Sequence, residues 1–485
     1  MRNRSIIGGS RNLSSILSIS LVVLVLGLLY LHNLGGWLIN DDEGTFLYQV
    51  WRISEGERPY QDLFTSRWPL FLYSGAGWMQ VVGAEVVPMR MLSVCLTLGT
   101  AIIIFLMGRQ TLPAEAALLS TVVFLLHPDV FRFGRLFQPE PFYLFFSTLG
   151  LCLFTRGQAK DSIPSFLGAG LVFAIASLYK LLAALALVGC VLFLSVTWLR
   201  KRESRRRIAL QAMALLLPYV VLFGLTALGL VLSVPHFYEG VIGLNLAQGR
   251  GLTPFQVVIK GLLFLTAYLL TFAPFLLLAF PAGWRGWSGA RETALLSWQL
   301  PTALAFIVLS RQLFPRLLLY LVPSLSVLFA ATLEPVRLMA RRSLLLLVIV
   351  GAVLIPWSVS DAQMLLRSES DTMAVSQYIQ SRTPPDAYVL SDYQGLNFYA
   401  RRRSTYSGTE ISRVIAASGQ ITGADLIAEI EAAGVRMVLI DVSPETTSNL
   451  MKLWDYDDFR AYIYEHFTLL DVLPRGEQRL EVYYR

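Results

Sequence analysis

Apolar residues fall along this chain in long blocks, unlike the closely mixed polar and apolar pattern of a water-soluble domain. The stretches 12–39, 208–234 and 261–283 hold no Asp, Glu, Lys or Arg, and each is long enough to cross a hydrocarbon layer that needs about 20 apolar residues. Blocks of this kind predict spans at about 13–34, 88–108, 113–131, 140–156, 162–180, 181–199, 208–234, 256–280, 293–310, 314–333 and 343–360, eleven in all. An odd number of crossings places the two termini on opposite sides of the membrane. A further apolar segment, 68–84, carries Trp68, Tyr73 and Trp78, the aromatic pattern of a helix lying at headgroup level.

From about Asp361 the pattern changes. Helix-like periodicity at 371–381, 424–433 and 445–465 alternates with strand-like runs at 388–391, 436–441 and 480–484, and Pro384-Pro385 breaks the first helix from the first strand. Such alternation reads as a small α/β domain. The expected fold class is therefore an α-helical polytopic membrane protein with interfacial helices in its first external loop and a small C-terminal α/β domain. The expected domains are 1–360 and 361–485.

Composition and charge agree. Of 485 residues, 55% are hydrophobic and 15% charged, against about 25% charged in soluble domains. The membrane part holds 28 Lys and Arg against 15 Asp and Glu, net +13, and the tail 12 against 18, net −6. The basic excess is not a nucleic-acid footprint, because no DNA-binding pattern accompanies it. It marks the cytoplasmic side: with 68–84 kept in the interface, Arg2, Arg4, Arg11, Arg156, Lys160, the basic run 201–207, Arg285, Arg291, Arg337, Arg341 and Arg342 all face inward. Letting 68–84 span would export the 201–207 run. The expected location is the plasma (inner) membrane, with the N-terminus cytoplasmic and the tail outside. Cys95, Cys152 and Cys190 lie inside apolar runs, which leaves no disulfide framework and no Cys-based zinc pattern.

The same topology gathers the remaining charges on the external face. Charges near span ends are costly and usually mark a pathway or a site. Asp41-Asp42-Glu43 follows the first span. One of these acids suffices to cap the helix that follows; three invite a general base that takes a proton from an attacking hydroxyl or amine. Arg132, Arg135 and Glu140 share a second external loop, Lys180 stands alone between two spans, and Arg311 and Arg316 flank a third loop. Each cation fits either snorkelling at the membrane boundary or contact with a phosphate. His236 and Glu239 are spaced by three without a second His or Cys, a weak metal pattern. The Arg401-Arg402-Arg403 run reads as a solvated turn.

The chain resembles the polytopic glycosyltransferases of the C superfamily, the group that includes protein O-mannosyltransferases and the aminoarabinose transferase of lipid A. The resemblance is carried by Asp42-Glu43 with Tyr48, Gly56-x-x-Pro59-Tyr60-x-Asp62, Trp68-Pro69-Leu70-Phe71, Arg135 with Glu140-Pro141, Leu178-Tyr179-Lys180, and Phe314-Pro315-Arg316 followed by Tyr320-x-x-Pro323. It implies transfer of a sugar from a polyprenyl phosphate or diphosphate to an extracytoplasmic lipid, glycan or protein acceptor, with inversion. It makes Asp42 the base with Glu43 and Glu140 assisting, and sets Lys180, Arg135 and Arg316 on the departing phosphate. Asp41, Tyr60, Asp62 and Arg311 join the expected substrate-binding set. No metal ligand is assigned; some relatives use a divalent cation and others none. The rival expectation is a transporter or flippase for a lipid-linked substrate, which the missing internal repeat disfavours.

Overall fold

The apolar blocks form helices in the computed structural model, which describes residues 21, 23–36, 41–200, 204–244, 253–287, 294–310, 313–337, 371–443, 448–476 and 478–485. The expected span 343–360, the start of the first span, most of the 201–207 run's first half, Arg250, Arg291, Arg311, Arg341 and Arg342 lie outside the described residues. The chain forms two compact units: Met1–Leu34, Arg90–Ala227 and Leu252–Gln363 in one, Gly35–Met89, Leu228–Gly251 and Met364–Arg485 in the other. The units thus do not follow chain order, as a single cut at 360/361 would.

In the first unit the helices are long and apolar. Among the described residues, Val86–Gly108, Leu181–Arg200, Arg205–Ser233, Pro254–Phe272 and Arg316–Leu333 are long and apolar enough to cross a membrane, five helices, or six if one bent pair counts as a span. Eleven are expected from the sequence, and that count is not reproduced. Part of the difference is length, since apolar helices such as Ile163–Tyr179 are shorter than a full span. The bent pair, Ala114–Leu126 and Pro128–Gly134, turns by 66° where 113–131 reads as one straight span. Pro128 causes the break: the residue before a proline is pushed out of the helical region, and His127 is extended at φ −64°, ψ 126°. Small residues let other helices meet closely. A Cβ on Gly170, in Ile163–Tyr179, would collide with the Leu215 carbonyl and come within 2.8 Å of Pro218 in Arg205–Tyr219.

The second unit joins two helices of the segment 35–89 to the tail. The acid helix Asp41–Ser54 packs against Pro69–Val82. The latter has 14 residues, about 21 Å at 1.5 Å per residue, too short for a hydrocarbon core of about 30 Å. This agrees with the interfacial reading of 68–84. The tail is a four-stranded sheet ordered β1-β2-β4-β3, with β1 (Val389–Ser391) parallel to β2 (Met437–Asp441), and β4 (Gln478–Tyr484) antiparallel to both β2 and β3 (Thr468–Arg475). Alternate residues of β2 point to opposite faces. Met437 and Leu439 pack with Val375, Ile379 and Leu396 on one side, and Val438 and Ile440 with Leu426, Ile430 and Phe459 on the other. Helices cover both faces, so the central strand is apolar at nearly every position.

The expected tail helices appear as Asp371–Arg382, Gly423–Ala433 and Tyr456–His466, the last shorter than 445–465. Strand β3 and helix Gln394–Ala400 add to the elements that the sequence pattern predicts. In the Arg401–Arg403 run, Arg401 lies in a turn and Arg403 is exposed, as expected, but Arg402 is not solvated: it is 6% exposed and donates to the Thr383 carbonyl at 2.7 Å and the Thr383 Oγ1 at 2.9 Å.

Candidate active site

Each unit holds one cluster of chemistry-bearing side chains. In the second unit, Asp41, Asp42 and Glu43 form the first turn of the acid helix, where unpaired N–H groups and the helix dipole favour negative charge. The three differ in setting: Asp41 is exposed, Asp42 half-buried and Glu43 fully buried. Arg475 Nη2 donates to Asp41 Oδ1 at 3.0 Å. Arg475 is itself held by Thr372 Oγ1 at 3.1 Å, Gln478 Oε1 at 2.6 Å and the Tyr393 ring, 4.2 Å below it.

Further along the same helix, Thr45 Oγ1 donates to Gln394 Oε1 at 3.0 Å, the Ser404 amide donates to Tyr48 Oη at 2.6 Å, and Gln49 Nε2 donates to Glu410 Oε2 at 3.0 Å. Glu410, 2% exposed, also accepts from the Ser66 amide at 2.8 Å and the Ser66 hydroxyl at 2.5 Å, and pairs with Arg67 at 3.2 Å. The tail residues Arg475, Gln394 and Glu410 thus fix the acid helix, a role no motif in the sequence announced.

Tyr60 and Asp62 stabilise the loop between the helices Asp41–Ser54 and Pro69–Val82. Tyr60 sits at φ 70°, donates from its hydroxyl to the Arg67 carbonyl at 2.6 Å, and lies edge-on to Phe237. Arg58, hydrogen-bonded to Asp62 through side chain and amide, holds that carboxyl below the usual range. His236 rests against the Tyr406 ring. Among the described residues no group of three or more His, Cys, Asp or Glu side chains is arranged to hold a metal ion.

In the first unit the centre is Glu140. Pro139 begins the helix Pro139–Lys160, a favoured first position because its missing N–H is not needed there, and this puts the Glu140 carboxyl in the first turn. The helix Ile163–Tyr179 ends as Lys180 turns extended, at φ −158°, ψ 121°. Lys180 Nζ then donates to Glu140 Oε1 at 2.6 Å. The sequence named both residues; the fold pairs them across 40 positions of chain. Arg316 acts electrostatically on Glu140. Arg135 is fully buried, and its guanidinium donates to the carbonyls of Tyr30, at 3.2 Å, and of His32. Arg311 lies outside the described residues.

Tyr143, one helical turn after Glu140, escaped the sequence reading although its i+3 spacing places it on the same face. It is completely buried, and Lys180 Nζ lies 5.5 Å from its ring centre. Glu140 Oε2 and Tyr143 Oη are buried with no hydrogen-bond partner among the described residues.

A buried carboxylate paired with a half-buried lysine, with an arginine near it, can bind a polar or anionic ligand, and known proteins share the fold that carries these residues. The family model of dolichyl-phosphate-mannose-protein mannosyltransferases matches residues 66–224, which contain Arg135, Glu140 and Lys180. The structure of ArnT from Cupriavidus metallidurans bound to undecaprenyl phosphate aligns at 14% identity with a TM-score of 0.67, over 96% of this chain and 97% of that one. Archaeal oligosaccharyltransferase AglB from Archaeoglobus fulgidus, in complex with an inhibitory peptide and a dolichol-phosphate, aligns at 14% identity and a TM-score of 0.58, over 88% of this chain and 70% of that one. Arabinofuranosyltransferase AftD from Mycobacteria gives 14% identity and a TM-score of 0.52, over 96% of this chain and 39% of that one. No curated protein matches significantly by sequence. This chain thus has the fold of these membrane transferases, and residues 66–224 match the dolichyl-phosphate-mannose-protein mannosyltransferase family model.

Proposed function

We propose that the protein transfers a sugar from a polyprenyl-linked phosphate donor to an acceptor outside the cytoplasm, with inversion at the anomeric carbon. The observation that carries this reading is the pairing of buried Glu140 with Lys180, both inside the stretch that matches the mannosyltransferase family, with Arg316 acting on Glu140. The undecaprenyl phosphate bound to ArnT supports a lipid-linked donor. Displacement at an anomeric carbon spreads positive charge over the ring while negative charge collects on the leaving phosphate. Lys180 and Arg316 stabilise the phosphate end. Arg135, committed to two backbone carbonyls, orders the end of the first helix.

Asp42 is the base. The resemblance of Asp42-Glu43 and Tyr48 to the family's motif supports this choice, and Asp42 stands half-buried in the first turn of the acid helix. The acceptor is a lipid, glycan or protein, and the distribution of basic residues along the sequence supports chemistry on the outer face of the inner membrane, with the N-terminus inside. Purified protein in lipid nanodiscs, given donor carrying labelled sugar, tests this. Label should pass from lipid to a new acceptor, and Asp42→Asn should cut the rate roughly 10²–10⁴-fold, the contribution of a positioned base, with donor binding retained. Wild-type turnover by that variant overturns the choice of base; label that only changes leaflets overturns the transferase reading in favour of a flippase.

A further inference from the structure

We propose that Tyr143 Oη and Glu140 Oε2 together form a subsite that reads a hydroxyl or amino group on the sugar ring of the donor. The inference rests on the donor reading above and adds the part of the donor that this corner recognises. Glu140 divides its carboxylate. Oε1 takes the Lys180 ammonium at 2.6 Å, while Oε2 is buried without a hydrogen-bond partner among the described residues. An ionised carboxylate oxygen can only accept. A phosphate oxygen is likewise an anionic acceptor and cannot pair with it. The ligand atom that fits Oε2 must carry a proton, as a sugar hydroxyl or amine does.

Tyr143 supplies the second half. Its hydroxyl is completely buried, unpartnered among the described residues, and borne one turn along the helix from Glu140, where i and i+3 side chains are neighbours. A phenol can donate or accept. A buried hydroxyl without a partner is unfavourable for the fold, and phenylalanine fills the same space without that penalty. A ligand contact accounts for a tyrosine at this position. The pair therefore discriminates a sugar-bearing lipid from the bare lipid phosphate, which Lys180 and Arg316 attract by charge alone.

The test compares wild-type protein and Tyr143→Phe, both full length in nanodiscs, binding two probes: undecaprenyl phosphate alone, and the same lipid carrying a hexose or an aminopentose. Tyr143→Phe should weaken binding of the sugar-bearing probe roughly five- to tenfold, the loss of about one hydrogen bond. Its affinity for the bare lipid should stay within about twofold of wild type, and its thermal midpoint at or above wild type. Equal weakening of both probes, or of neither, overturns the subsite, as does a wild-type protein that binds the two probes equally. A wild-type protein that binds neither overturns the donor reading instead.

Discussion

Asp392 illustrates how far one side chain's behaviour depends on burial. It follows β1 in the tail, is 1% exposed, and accepts from the amides of Asp441 at 3.1 Å, Asn449 at 2.9 Å and Leu450 at 3.2 Å, and from the Ser448 hydroxyl. Burial pushes its carboxyl up to about 6, and the donated hydrogen bonds pull back less strongly. A carboxyl raised in the folded state binds a proton that the unfolded chain has already released. The associated stability is full below about pH 4 and is lost as pH rises through about 6, a change on the order of 3 kcal/mol for about two units. Hydrogen exchange at the amides of Asn449 and Leu450, corrected for intrinsic rate, should show protection falling across that window. In Asp392→Asn the fall should disappear; a fall of unchanged size in that variant would assign the effect to another group. Nothing in the sequence around Asp392 distinguishes it from a surface aspartate, because its burial is created by residues 49 to 58 positions away.

Helices were the more legible scale. Their cores follow from uncharged apolar runs, and the helix Pro69–Val82 from its short apolar, aromatic-bearing segment. Their ends and breaks follow from proline chemistry, as at His127-Pro128. What helix periodicity does not reveal is which faces meet. Gly170 marks such a face: its missing side chain admits the Leu215 carbonyl. Gly170→Ala should therefore destabilise by about 1–3 kcal/mol through overpacking, read as a lowered thermal midpoint of the purified protein. Gly168→Ala, two positions away, would place its Cβ in ordinary contact with Leu153 at 3.5 Å and should leave the midpoint nearly unchanged. Equal midpoints for the two variants would remove the close helix approach as the cause.

For the whole molecule, the informative finding is that the tail and the segment 35–89 belong to one compact unit. The bonds from Glu410 to Gln49, Ser66 and Arg67 span more than 340 positions of sequence. A substitution in the tail should therefore be felt in the acid helix. Glu410→Ala leaves the donors of Gln49 and Ser66 and the Arg67 charge without this acceptor, at a cost of roughly 1–3 kcal/mol. Amide exchange at residues 45–53 and 64–67 should accelerate about 10- to 100-fold, while exchange in the Pro139–Lys160 helix should stay as in wild type. Exchange confined to the tail would show that the loop keeps its order without Glu410.

The sequence by itself determined the material of this protein and much of its chemistry. Apolar blocks dictate helices in hydrocarbon, the alternating tail dictates an α/β domain, and Asp41-Asp42-Glu43, Glu140 and Lys180 stand out because charge beside a membrane is costly. Only the tertiary structure decided which charges meet. It paired Glu140 with Lys180, gave Asp41 to Arg475, turned Arg135 onto backbone carbonyls and buried Tyr143 beside Glu140. Period and composition are local properties of a chain, readable over a few turns. Ion pairs, burial and unmet hydrogen bonds depend on atoms brought together from distant positions, and packing alone chooses those.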